Sequence, residues 1–121
     1  MWMGDPRTMC RNHLLGEHKE LHQLIGQLRK KLGITGYIQK NCIEVSSITS
    51  RHDALVREME RRGYRHLSPV PYQSEIDRMS EYLPEQERAY VIDVESSDRD
   101  RYCRCCNCCP EGVISTCITK N

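Results

Sequence analysis

Between residues 8 and 32 the apolar positions Leu14, Leu21, Ile25, Leu28 and Leu32 recur at steps of seven, four, three and four. That spacing returns to one side of an α-helix and predicts a helix from about Thr8 to Lys31. Asp5-Pro6 is an opening signal, and the two glycines of "LGITG" close the segment. A second helix is predicted from "SRHD", with Ser50 as N-cap and Asp53 in the capping-box position, through "ALVREMERR" to a stop at Gly63. Leu55, Val56 and Met59 give it an apolar face. "SPVPYQ" reads as a loop, and "SEIDRMSEYL" as a short helix ended by Pro84. "RAYVIDVE" fits either a strand or a buried helix, and its helical neighbours favour helix. After Ser96 neither "SSDRDRY" nor the following cysteines show a packing pattern. The expectation is an all-α, compact single domain of about three main helices with long loops and an irregular, Cys-rich C-terminal tail.

The chain of 121 residues suits one domain. No apolar run approaches the roughly eighteen residues of a membrane span. "MWMGDPRT" lacks the basic start and apolar stretch of a signal peptide, so a cytoplasmic protein without membrane association is expected. Residues 1–70 hold twelve Lys/Arg against seven Asp/Glu and all five histidines, whereas residues 71–121 hold six against ten. A basic half suits a polyanion such as nucleic acid, although helix surfaces often carry the same imbalance. Cys10 and Cys42 read as small buried residues. Five cysteines crowd into "CRCCNCC", with Cys117 beyond, unlike the spread bridges of a secreted framework. Cys103/Cys106, Cys105/Cys108 and Cys106/Cys109 are overlapping C-x2-C pairs, and Cys105 and Cys108 among them are candidate zinc ligands in that tail. One such pair supplies only two ligands, and no second pair at finger spacing exists. No other cofactor is expected.

"HKELH" places His18 and His22 at i, i+4 with a glutamate between them. On a wheel of about 100° per residue with His13 at zero, the apolar stripe falls near 60–120° and His18 and His22 near 140–180°. Glu20 falls near 340°, away from both histidines. A zinc hydrolase of the H-E-x-x-H type needs its glutamate beside the metal-bound water, so the spacing argues against one. The histidines are expected to flank the buried stripe, half exposed. His13, Glu17 and Glu20 share one narrow face, with Lys19 and Gln23 on its flank. That face is either a patch open to water or substrate, or a solvated surface held by weak i, i+4 pairs.

"NHLLGEHKEL", followed by "SRHDALVREMERRGYRHLSP", resembles the pyrimidine dimer DNA glycosylases, the small all-helical repair enzymes also called phage-type endonuclease V. The opening "MWMGDPRTMCRNHLLGEH" is still more similar to their short bacterial relatives. The resemblance covers about residues 1–70. With it, residues 1–95 are expected to form a helical, DNA-repair-like domain, and the lack of a packing pattern after Ser96 makes residues 96–121 a polar, Cys-rich tail, expected to be poorly ordered.

The resemblance implies a glycosylase and AP lyase acting on duplex DNA with UV-induced pyrimidine dimers or abasic sites, working as a monomer. Its nucleophile would be the α-amine of Met1, which attacks C1′, displaces the base and forms a Schiff base before the strand is cut. Such amines titrate near 7.7–8.0 and are roughly 10–15% neutral at pH 7, far more than a lysine. Glu20 matches the family's essential glutamate. Asn12 and His13 match a Gln-His pair near the DNA, Lys19 matches a phosphate-binding arginine, and Gln23 stands where a second arginine contacts DNA. Lysine loses the bidentate fork, and glutamine loses the charge. Lys30, Lys31, Arg57, Arg61 and Arg62 are phosphate candidates or plain helix surface. Trp2 departs from the phage pattern by blocking removal of Met1, and is expected as a buried anchor or a stacking surface for a base. Two other classes stay open: a non-catalytic nucleic-acid-binding module of the same fold, and a metal- or thiol-dependent interaction protein working through the tail.

Overall fold

A computed structural model describes residues 1–66 and 68–104, the last three by backbone alone. Among the described residues there are six α-helices and no strand: α1 (Arg11–Arg29), α2 (Thr35–Gln39), α3 (Ile48–Arg61), α4 (Gln73–Met79), α5 (Glu85–Arg88) and α6 (Val94–Arg104). The three longest, α1, α3 and α6, are the main helices of an all-α single domain. None of the described helices is long and apolar enough to cross a membrane.

The core follows from the α1 stripe. Leu14, Leu21, Leu24, Ile25 and Leu28 are buried against Leu55 and Met59 of α3 and Ile76 of α4, with Ile34, Ile43, Val45 and Ile48 closing one end. Each fully buried side chain of this kind contributes about 1.5–3 kcal/mol relative to exposure. Leu32 departs from the expected stripe: α1 ends at Arg29, Lys31 takes a left-handed turn at φ 57°, and Leu32 is left 44% exposed. Fully buried Ile34 takes the place beyond the turn.

Several local expectations shift. Asp5-Pro6 opens a separate 3-10 turn, Pro6–Thr8, and α1 starts later, with the Cys10 thiol accepting the His13 N–H at 3.4 Å. α3 begins at Ile48 after another 3-10 turn, so Ser50 lies inside the helix, not at its cap. Its stop is as expected: Gly63 adopts φ 83°, and the N–H groups of Gly63 and Tyr64 reach the carbonyls of Glu60 and Met59, each at 2.9 Å. A side chain at that φ would be strained. The stretch around residues 89–93 is neither strand nor helix. It is irregular, with Ile92 buried and its N–H donated to Glu44 at 2.8 Å. α6 runs across the boundary drawn at residue 95 and buries Ser97 and Arg101. The expected tail beyond residue 104, with Cys105 and Cys108, lies outside the described residues.

The first ten residues have almost no backbone ladder of their own, yet five of their carbonyls accept from side chains of α3, its immediate end and α6. From α3, Arg51 donates to the Gly4 carbonyl at 2.6 Å. Arg62, just past α3, reaches those of Pro6 and Met9 at 3.2 and 2.6 Å. From α6, Ser97 donates to the Trp2 carbonyl at 2.8 Å and Arg101 to Thr8. Arg51 also makes a two-pronged buried pair with Glu17, at 2.6 and 2.9 Å. Glu58, itself buried, holds both Arg61 and Arg62.

Removing one partner of a buried pair leaves the other charge stranded. Arg51→Ala is therefore expected to cost about 3–5 kcal/mol in urea unfolding, whereas replacing Glu17 and Arg51 together by apolar residues costs much less. Glu58 gives a pH dependence. Hydrogen bonds from Arg61 first, then Arg62, hold its carboxyl down to about 2 against burial, which pushes it up. A carboxyl lowered on folding stabilises above its unfolded pKa and loses that contribution as pH falls through its folded value. The urea midpoint should thus decline from about pH 4.5 to about 2, and Glu58→Gln should decline less over that window.

Candidate active site

The pinned segment delivers the chain's first residue to α1. The Met1 side chain is in the core, 2% exposed, and its thioether accepts the Glu44 N–H at 3.4 Å. Its α-ammonium pairs with the Glu20 carboxylate and donates to the Cys42 carbonyl at 3.0 Å. The Glu20 side chain is 40% exposed, so the ion pair has one face toward solvent. It opens on a cavity of about 530 Å³, lined in part by Trp2, Lys40, Asn41, Ser97 and Asp100.

Local backbone shapes this cavity. Met3, two residues along from the amine, and Asn41, next to the Cys42 whose carbonyl accepts from it, both hold left-handed φ values, 64° and 55°. For non-glycine residues such conformations cost of order 1–3 kcal/mol, and surrounding contacts must hold them. The Asn41 carboxamide oxygen accepts the Tyr90 hydroxyl at 2.7 Å and the Asp93 N–H at 2.9 Å, fixing that turn. Gly4 lies so close to α6 that a Cβ there would collide with the Asp98 carboxylate.

Of the residues singled out by sequence, Met1, Glu20 and Trp2 come together here. Trp2 is partly buried, edge-on to His13 at 5.9 Å between ring centroids, and still faces the cavity. Asn12, Lys19 and Gln23 are exposed on α1 outside the cavity lining. His13 is half-buried, its Nδ1 3.0 Å from the Cys10 thiol. Glu17 is not on an open patch with Glu20, because its bond to Arg51 buries it. Arg61 and Arg62 are committed to Glu58, while Lys30, Lys31 and Arg57 are exposed.

Sequence reasoning missed Lys40, Asn41, Ser97 and Asp100. They come from the turn after α2 and from α6, too far along the chain for a helical wheel of α1 to register. The only local sign was Asn41, a residue type that tolerates the left-handed turn.

A second cluster was also missed. His18 and His22 lie half-buried beside the stripe, turned away from Glu20, but they meet His52 of α3 and His66 from the segment after it. Burial, followed by the neighbouring histidines, pushes the His18 imidazole down to about 4 and lowers His22 and His52 as well. The Ser68 backbone acts in the opposite direction on His22 and His52.

A family model described as pyrimidine dimer DNA glycosylase matches residues 1–71. That span contains Met1, Trp2, Glu20 and the Lys40–Cys42 turn. No curated protein and no solved structure gives a significant match. With the family model covering more than half of the sequence, the chain belongs to the pyrimidine dimer DNA glycosylase family.

Proposed function

We propose that the chain is a DNA glycosylase with AP lyase activity on duplex DNA carrying pyrimidine dimers or abasic sites. The observation that carries this reading is the Met1 α-amine, paired with the half-open Glu20 carboxylate at the edge of the cavity. In its unprotonated form the amine attacks C1′ of the damaged nucleotide. An N–C1′ bond forms, the glycosidic bond breaks, and the base leaves with the bonding electrons and takes up a proton. Opening of the sugar at O4′, which is protonated, leaves a Schiff base. Loss of a C2′ proton then expels the 3′ phosphate, and water hydrolyses the Schiff base to restore the amine.

Glu20 is suited to two tasks. Its negative charge stabilises the cationic sugar as the base departs. Its carboxylate also accepts and returns protons during ring opening and elimination. Lys40 lines the cavity and supplies a cation for a flanking phosphate. Asn12, His13, Lys19 and Gln23 belong to the DNA-facing side of α1 in this reading, with Lys19 gripping phosphate as a point charge. Trp2, edge-on to His13 and open to the cavity, offers a face on which a displaced base can stack.

Borohydride reduction of the protein on an abasic duplex is expected to trap a covalent adduct on the N-terminal peptide. Prior acetylation of the α-amine should abolish it, and DNA binding with no adduct would reduce the protein to a binding module. Glu20→Gln is expected to keep DNA affinity and lose turnover by roughly 100- to 10,000-fold in a single-turnover nicking assay. Unchanged turnover would remove Glu20 from the chemistry. Lys40→Ala should weaken binding of all duplexes alike and reduce the slope of log affinity against log salt by about 1.

A further inference from the structure

The four histidines gathered between α1, α3 and the segment after α3 have no part in the chemistry above. His18, His22, His52 and His66 bring one ring nitrogen each to a common point, all within 4.8 Å of one another. Neighbouring ring centroids lie 4.7–5.3 Å apart. The Nε2 atoms of all four are shielded from solvent and make no hydrogen bond of ordinary distance and angle. Apart from Asp53 on His52, the Ser68 backbone is the one polar group among the described residues acting on His22 and His52 from outside the cluster. A buried polar atom left without a partner costs about 1–3 kcal/mol, and four converging on one point are hard to explain as packing. Protonating them resolves nothing, because the charges would repel.

A metal cation answers all four lone pairs at once. Bonds of about 2.0–2.1 Å at tetrahedral angles set ligand nitrogens about 3.3 Å apart, so a modest contraction of rings on three separate elements completes the shell. Four imidazoles with no carboxylate suit zinc and its first-row neighbours, and do not suit magnesium or calcium. His18 and His22, at i, i+4 on one face of α1, chelate as a pair. The Asp53 carboxylate lies 3.4 Å from His52 Nδ1, where it can fix the ring so that Nε2 faces inward.

We propose that His18, His22, His52 and His66 hold one zinc ion in a closed, structural site. With four protein ligands no position is left for substrate, and the ion clasps the segment after α3 onto α1. The inference needs neither the Met1 amine nor the family assignment.

The test uses the full chain with its six tail cysteines replaced by serine, stripped with chelator and titrated with cobalt(II). One cobalt per chain is expected, with the strong visible bands of a tetrahedral site and displacement by zinc. The Nε2 resonances of the four histidines should shift together when zinc is added to the unsubstituted chain. Zinc should also slow tryptic cleavage after exposed Arg65. His66→Ala should lose stoichiometric uptake while keeping its helical circular dichroism. Absence of one-to-one uptake, weak octahedral-type bands, or equal uptake by His66→Ala would overturn the site. Zinc that shifts none of the four histidine resonances in the unsubstituted chain would overturn it without recourse to any variant.

Discussion

The structure depends on how a ten-residue segment with hardly any hydrogen-bonded ladder is held still. The carbonyls of Trp2, Gly4, Pro6, Thr8 and Met9 each receive a side-chain donor from α3, its immediate end, or α6. Arg51 is the central member, since the same guanidinium bridges Gly4 to buried Glu17 of α1. Charged donors make stronger hydrogen bonds than neutral ones, and burial excludes the water that would compete. Seating the Met1 side chain in the core then brings its amine to Glu20.

The parts of this arrangement set by local periodicity could be read in the sequence. The α1 register, the opposed directions of Glu20 and the His18–His22 pair, and the left-handed stop at Gly63 all follow from spacing within one element. What required a distant partner could not. Glu17 and Glu20 share a wheel face, yet Arg51, 34 residues on from Glu17, buries the first, while the second remains half open. Leu32 fits the stripe by arithmetic but lies beyond a helix end set by the Lys31 turn. α6 has a polar sequence with little apolar face. It packs through Ser97 and Arg101, which bond to the N-terminal segment, a mode that hydrophobic patterning does not register.

"HKELH" shows how a correct spacing can point to the wrong chemistry. Its i, i+4 histidines do sit as a chelating pair would. Their companions are two further histidines, His52 and His66, and the intervening glutamate faces another way. One helix thus carries two unlike centres on opposite faces, a carboxylate beside an amine and a nest of imidazoles, with the leucine stripe running along one flank between them.

The family match ends at residue 71, but the cavity does not. Ser96, Ser97 and Asp100, all from α6, line it together with Met1, and a methyl group on Gly4 would force the Asp98 side chain of α6 to move. The stretch that bears Met1 and Glu20 and the α6 stretch that helps to wall their cavity are therefore separate in the chain. Changes along α6 can thus reshape the cavity while the first seventy-one residues stay as they are.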